Sequence, residues 1–255
     1  MYLDEIIHGD SADVLKTFPP DCIDLTVTSP PYDNLRKYNG FTFDFPTIAK
    51  ELFRVTKAGG VVVWVVGDAT VKGSETGTSF RQALYFKECG FNLLDTMIYL
   101  KSGFSKPYPN KYHQVFEYMF IFTKGKASHF NPLKDRKNIK GVFIDNSSTK
   151  INYDGVHEKR KPFTRAEFGK RFNVWQYATG LGGTGDKLAH KHPAPFPEAL
   201  ANDHILSWSN EGDIVLDCFS GSGTTPKMAK LLNRHYIGVD TSIEYVELSR
   251  KRLGA

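Results

Sequence analysis

An α/β fold, with a sheet covered by helices, is what this sequence predicts, and three observations carry that expectation. Strand-like and helix-like patterns alternate from Glu5 to Thr123. The run Val61-Val62-Val63-Trp64-Val65-Val66 is apolar at every position, as a strand buried on both faces requires. After an irregular middle the alternation resumes at Pro193 and places a glycine-rich turn between a strand and a helix.

Taken in order, Glu5-Ile6-Ile7 reads as a short strand ending at His8-Gly9-Asp10-Ser11. Asp10 or Ser11 then caps a helix through Leu15 to Phe18, stopped by Pro19-Pro20. A strand follows over Ile23–Val27. Ile48, Leu52, Phe53 and Val55 recur at helical spacing between Pro46 and Lys57, and Gly59-Gly60 is read as the end of that helix. Gly67 to Thr78 reads as a loop, Phe80–Cys89 as a helix, and Asn92–Leu100 and Val115–Thr123 as strands, the last two an antiparallel addition at one edge. Residues 124–190 read as an irregular insertion of one or two short elements with a mobile tip at Gly180–Gly185. Beyond it come a helix over Pro197–Trp208, a strand over Ile214–Asp217, a helix from Thr224 to Leu232, a strand over Tyr236–Val239 and a last helix to Leu253.

Composition narrows the function classes. A content of 40% hydrophobic and 24% charged residues suits a soluble globular chain. No apolar run approaches the ~20 residues of a membrane span, and the N-terminus has no secretory pattern. Three scattered cysteines without CxxC spacing point to a reducing, cytoplasmic compartment and away from a metal site. The net charge of +5 is unevenly spread: residues 101–192 hold 18 Lys/Arg against 7 Asp/Glu, while the remainder is acidic. A basic segment with interleaved aromatics on an acidic body is the footprint of a polyanion-binding face, and solvated basic loops give the same pattern.

Two stretches carry chemistry. In Thr28-Ser29-Pro30-Pro31-Tyr32 the prolines end the preceding strand, since neither donates to a sheet ladder and each fixes φ near −65°. The resulting elbow presents a hydroxyl, a carbonyl and an aromatic face, a set that grips a flat polar ring by edge and face. Alone, those residues would equally suit an ordinary loop or a ligand for a proline-binding domain. The second stretch is Asp217-Cys218-Phe219-Ser220-Gly221-Ser222-Gly223-Thr224-Thr225, where small residues let a ligand approach backbone N–H groups and a helix N-terminus. The next strand ends in Asp240, placed to accept from ribose hydroxyls. Pro226 stands where a dinucleotide fingerprint wants a third small residue, and the Gly-Lys-Ser/Thr of a phosphate loop is absent, so the ligand indicated is an adenosine without a polyphosphate.

Together these motifs resemble the S-adenosylmethionine-dependent DNA amino-methyltransferases, in the permuted order called the β class. That family has a Ser/Asp/Asn-Pro-Pro-Tyr/Phe motif early and an Asp-x-Phe-x-Gly-x-Gly motif late, with a target-recognition insertion between. Ser29–Tyr32 and Asp217–Gly223 match, 188 residues apart. The Gly9-Asp10 turn, Gly59-Gly60 and His192-Pro193-Ala194-Pro195-Phe196-Pro197 match too, and Cys218 departs from the commoner proline. The resemblance implies a Rossmann-like methyltransferase fold with a circularly permuted, mixed seven-stranded sheet and helices on both faces. It divides the chain into a catalytic half at 1–123, a recognition insertion at 124–190 and a cofactor-binding half at 191–255.

It also implies roles. Ser29, Pro30, Pro31 and Tyr32 are the expected catalytic residues. Ser29 Oγ and the Pro30 carbonyl would accept from the target amine, Pro31 would stiffen the elbow and Tyr32 would stack on the base. Asp10, His192, Phe196, Asp217, Phe219, Gly221, Ser222, Gly223, Thr224 and Asp240 are the expected contacts of S-adenosylmethionine, although Asp10 also reads as a plain helix cap and Phe196 and Phe219 as plain core. A serine at the first motif position goes in this family with cytosine N4 more often than with adenine N6. The ring-carbon methyltransferases need a Pro-Cys nucleophile, which none of the three cysteines provides. Double-stranded DNA is the expected partner, and a cognate restriction endonuclease and a second copy of the chain are further candidates. Methylation of RNA or of a protein amide, or a catalytically silent DNA-binding module, are the competing readings.

Overall fold

The computed structural model describes residues 2–31, 43–103, 107, 109–139, 143–145, 149–179 and 182–254. Tyr32, Gly180 and Leu181 lie outside the described residues. The chain divides into a larger unit, Met1–Asn131 with Asn173–Ala255, and a smaller one, Pro132–Phe172.

The larger unit begins with β1 (Glu5–His8), α1 (Ser11–Lys16), β2 (Ile23–Thr28), α2 (Phe45–Val55) and β3 (Thr56–Val66). A small pair, β4 (Thr70–Val71) and β5 (Ser74–Glu75), occupies what reads in the sequence as plain loop. Next come α3 (Thr78–Glu88), β6 (Asn92–Lys101) and β7 (Phe116–Thr123). The smaller unit contains β8 (Arg136–Lys137), β9 (Phe143–Asp145), β10 (Thr149–Ile151), β11 (His157–Lys159), β12 (Phe163–Arg165) and β13 (Phe168–Gly169). The larger unit resumes with β14 (Val174–Tyr177), a 3-10 turn at Ala189–Lys191, α4 (Glu198–Trp208), β15 (Ile214–Asp217), α5 (Thr224–Leu231), β16 (His235–Asp240) and α6 (Ile243–Leu253).

One sheet organises the larger unit, in the order β1-β16-β15-β2-β3-β7-β6-β14. Within it β7 alone runs against its neighbours. From β15 the chain crosses through α5 to β16 on one side, and from β2 through α2 to β3 on the other. The order therefore reverses between β15 and β2, and the carboxyl ends of these two strands flank a crevice of the kind in which open α/β sheets bind ligands. Leu15, Ile48, Leu52, Trp64, Phe86 and Phe122 fill the core on the face of α1–α3, while α4–α6 cover the other face. Burying Trp64 needs a partner for its indole N–H, which Gln82 Oε1 supplies at 2.9 Å.

Two expectations are corrected. Gly59-Gly60 does not end α2. The helix stops at Val55, where Thr56 turns extended and its hydroxyl donates to Leu52 O at 2.6 Å. The two glycines lie inside β3, at a register shift against β2 between Ile23 and Leu25. Gly59 has φ +82°, and a Cβ on Gly60 would stand 2.9 Å from Lys57 O and 3.0 Å from Asp24 O. Among the described residues the sheet has eight strands rather than seven, because Val174–Tyr177 adds in parallel to β6. Its inward side chain, Trp175, packs on His204 of α4 with ring centroids 4.6 Å apart. The smaller compact unit spans 132–172, inside the stretch read in sequence as an insertion at 124–190. Asn131 is tied to α4, its N–H donating to Ser207 O and its side chain to Ser209 O, and 173–190 returns to the sheet.

The smaller unit is one nested ribbon. β8 pairs with β13, β9 with β12 and β10 with β11, all antiparallel. Its side chains are largely exposed, among them Ile151, Tyr153, Val156 and Phe172. Arg171 bridges to Asp135, and Arg136 lies over the Phe172 ring at 4.5 Å.

Backbone oxygens close to Gly60 leave no room for a side chain. Gly60→Ala is expected to lower stability by about 1–3 kcal/mol, read as a lower urea midpoint with an unchanged slope.

Candidate functional site

The elbow and the glycine-rich turn, far apart in sequence, meet at the crevice. β2 ends at Thr28, which is 1% exposed, with Pro30 buried and Ser29 and Pro31 half-buried beyond it. β15 ends at Asp217, which is 6% exposed. The Thr28 hydroxyl donates to Asp217 Oδ1 at 2.6 Å, directly joining the two motifs. The Phe219 N–H donates to the same oxygen at 3.1 Å. Burial pushes the Asp217 carboxyl up to about 6, and the neighbouring charge of Asp240 adds to this, while the Thr28 hydroxyl, the Phe219 N–H and the Thr225 hydroxyl act the other way. The adjacent Cys218 thiol is also held well above its ordinary value by burial, and its carbonyl accepts from Ser11 Oγ.

Side chains from three other segments shape the turn. Asp240, at the end of β16, accepts the Gly221 N–H on Oδ2 and the Ser242 N–H on Oδ1, each at 2.8 Å. Burial raises its pKa, against the pull of those two N–H groups. Gly221 (φ +51°) and Gly223 (φ +75°) adopt left-handed backbone. A Cβ on Gly221 would stand 2.9 Å from His192 Nε2, and one on Gly223 would stand 2.8 Å from Ser249 Cβ. His192 rests edge-on against Tyr245, centroids 4.5 Å apart, and its Nδ1 accepts the Ala194 N–H at 3.2 Å. The Ser249 hydroxyl donates to Gly221 O at 2.8 Å. Phe219 is half-buried against the edges of Phe43 and Trp64, so it closes the core as well as bordering the crevice.

Asp10 is a helix cap here: its carboxylate accepts the Ala12 N–H at 2.7 Å. It also sits beside the turn, because the preceding Gly9 N–H donates to Asp240 O at 3.0 Å. Phe196 is half-buried just ahead of α4, and Ser222 and Thr224 are buried in the turn itself. Asp10, His192, Asp217, Phe219, Gly221, Ser222, Gly223, Thr224 and Asp240 are thus brought around one turn. Phe196 flanks it through the segment that carries His192.

What locks this turn in place has no local signature in the sequence. Arg252, its side chain fully buried, donates through Nη1 to Ser222 O and to Thr224 Oγ1. Through Nε and Nη2 it reaches Asp186 at 2.8 Å and Glu198 at 3.0 Å. Lys227 bridges the same two carboxylates at 3.2 and 2.9 Å. Burial opposes ionisation of Asp186, yet hydrogen bonds from Arg252, the Leu188 N–H and Lys227 outweigh it and bring the pKa down to about 2. In sequence Arg250-Lys251-Arg252 reads only as cations at a helix C-terminus; nothing local marks the third as buried.

The cluster binds α6, the glycine-rich turn and the segment carrying His192 into one body. Arg252→Met is expected to cost about 3 kcal/mol, since Lys227 alone would then face two partly buried carboxylates. Chemical denaturation at neutral pH checks it. The folded pKa of Asp186 lies below its ordinary 3.8, so this contribution is whole above about pH 4 and disappears as the pH falls through about 2.

Residues fit for an adenosine-bearing ligand are therefore assembled: a turn whose glycines let His192 and Ser249 pack against its backbone, a buried carboxylate at one end and a strand-end carboxylate at the other. Comparisons with known proteins agree. A family profile described as DNA methylase matches residues 23–251. The chain is 60% identical over 243 residues to the orphan methyltransferase M.BamHII of Bacillus amyloliquefaciens, covering 91% of this chain and 89% of that protein. It is 28% identical to the type II methyltransferase M.HpaI of Haemophilus parainfluenzae, over 97% of this chain and 73% of that one. In structure it resembles the M1.HpyAVI–SAM complex, with a TM-score of 0.67 and 23% identity over 98% and 99% of the two chains. It likewise resembles the cytosine-N4-specific PvuII DNA methyltransferase, with a TM-score of 0.69 and 22% identity over 97% and 85%. The crevice between β15 and β2 thus sits in a methyltransferase fold, and the chain belongs to the DNA methylase family, the S-adenosylmethionine-dependent amino-methyltransferases of DNA.

Proposed function

We propose that the protein is a site-specific DNA methyltransferase that acts on the N4 amine of a cytosine swung out of the duplex. The observation that carries this reading is the junction of Ser29-Pro30-Pro31 with the Asp217 turn through the Thr28 bond. S-adenosylmethionine, when bound, supplies a methyl group activated by its sulfonium. Asp217 would receive the amino group of that cofactor, Asp240 its ribose, and Phe219, Asp10 and His192 would border its adenine and walls. Gly221, Ser222, Gly223 and Thr224 would let it lie close to the backbone, with Phe196 lining the same cavity.

The target amine is a poor nucleophile because its lone pair is delocalised into the ring. Ser29 Oγ and the Pro30 carbonyl would each accept one N–H, drawing the nitrogen towards tetrahedral geometry and aiming its lone pair. The following Pro31 removes a competing backbone donor and freezes those acceptors. Tyr32 would stack on the base, worth on the order of 1–3 kcal/mol, against the few kcal/mol needed to extrude it. Serine at position 29 favours cytosine N4 over adenine N6. The basic, largely exposed ribbon at 132–172 would supply the contacts that choose the site, as β-ribbons do in a DNA groove. Free thiols at Cys22, Cys89 and Cys218 suit a cytoplasmic location, and the orphan description of M.BamHII suits work without a cognate endonuclease.

Incubation with labelled S-adenosylmethionine and unmethylated DNA, followed by nucleoside analysis, tests the reading. N4-methylcytosine is expected; N6-methyladenine would overturn the choice of base, and no label in DNA would overturn the reading itself. Ser29→Ala is expected to cut turnover about 100-fold or more while moving stability by less than about 1 kcal/mol. Full activity in that variant would remove Ser29 from its role.

Cofactor affinity should also depend on pH. The folded pKa of Asp217 lies above its ordinary 3.8, so the free protein's stability from this group is whole below about pH 4 and declines as the pH rises through about 6. A cationic amino group binds the ionised form, so affinity is expected to rise through pH 6 with release of a proton. Calorimetry in two buffers of different ionisation enthalpy measures it.

A further inference from the structure

Thr28 occupies the last position of β2, directly before the elbow, and Asp217 the last position of β15. The strands are parallel neighbours with Leu25 opposite Val215 and Thr26 opposite Leu216. Their ends therefore open into the crevice together, and both side chains are buried. Cys218 Sγ lies 3.8 Å from Thr28 Oγ1. Burial keeps that thiol protonated, so it acts as a donor and leaves the threonine proton for Asp217. The chain of donation thus has one direction, thiol to hydroxyl to carboxylate, and each bond polarises the next.

We propose that Thr28 is a positioning residue for methyl transfer: its hydroxyl fixes the Asp217 carboxylate and so registers the cofactor turn against the elbow that holds the base. The proposal rests on the roles given above to Asp217 and Ser29. It explains why a hydroxyl stands at position 28, where a strand buried on both faces would otherwise take valine. The titratable groups facing Asp217 are Asp240, from the end of β16, and Cys218, in its own turn. Asp240 offers no donor, so when Thr28 loses its hydroxyl the carboxylate keeps only the Phe219 N–H and the Thr225 hydroxyl, and its pKa rises.

Thr28→Val keeps the shape and removes the hydroxyl, Thr28→Ser keeps the hydroxyl, and Thr28→Ala covers the case in which valine does not pack. The dissociation constant of S-adenosylmethionine is measured by calorimetry from pH 5 to 8.5, with thermal midpoints alongside. Loss of a bond to a carboxylate is expected to displace the binding profile of the valine and alanine variants upward by about one pH unit. Binding at pH 6 then weakens about fivefold, and serine restores the wild-type profile. Valine and alanine profiles superposed on a pH-dependent wild type would overturn the role of Thr28 alone. A flat wild-type profile, with Asp217→Asn binding as tightly as wild type, would instead overturn the assignment of Asp217 and this proposal with it.

Discussion

The site depends on one topological constraint, the reversal of strand order between β15 and β2. Both strands are buried in the middle of a parallel stretch of sheet, so their backbone groups are already paired and their side chains already packed. The connections leave in opposite directions, α5 towards β16 and α2 towards β3, and neither covers the gap at the carboxyl ends. A polar crevice thus arises at the top of an apolar sheet without disturbing the packing below it. The chemistry-bearing residues need only stand at strand ends, and Thr28, Asp217 and Asp240 do.

Much of the polar bonding around the crevice serves to shape backbone. Asp240 spends an oxygen on each of two N–H groups, Ser249 takes the Gly221 carbonyl, Ser11 the Cys218 carbonyl and Arg252 the Ser222 carbonyl. A turn rich in glycine gains freedom to meet a ligand and would lose that order to conformational entropy without such ties. The four-charge cluster of Asp186, Glu198 and Lys227 around the buried Arg252 supplies the firmest of them. Its contribution lies in fixing three segments in one arrangement, since buried ion pairs add little net stability of their own.

How much of this could be read in the sequence follows from the range of each signal. Proline and glycine act locally, so the elbow at Pro30-Pro31, the turn at Gly221-Gly223 and most helix and strand spans were legible. Gly59-Gly60 misled because glycine marks both a helix end and a strand irregularity, and only the pairing with β2 distinguishes them. Val174–Tyr177 escaped because four residues among charge and aromatics show too little alternation. Arg252 and Asp186 escaped for a deeper reason: a buried ion pair is a relation between distant residues, and each partner alone looks like a solvated surface charge. Thr28 stood within the elbow motif, yet its partner is 189 residues away.

That same separation bears on how the protein is made. β2 pairs on one side with β3, which follows at once, and on the other with β15, which emerges only after the intervening ribbon and α4. At ordinary elongation rates the gap lasts about 10–40 s. Throughout it a central strand destined for burial presents an open edge, the feature most prone to pairing with another chain. The crevice, and with it any hold on a ligand, comes into being only when that edge closes. A permuted order of this kind therefore ties the birth of the binding site to the arrival of β15, and makes the nascent chain, more than the folded one, the form that needs protection.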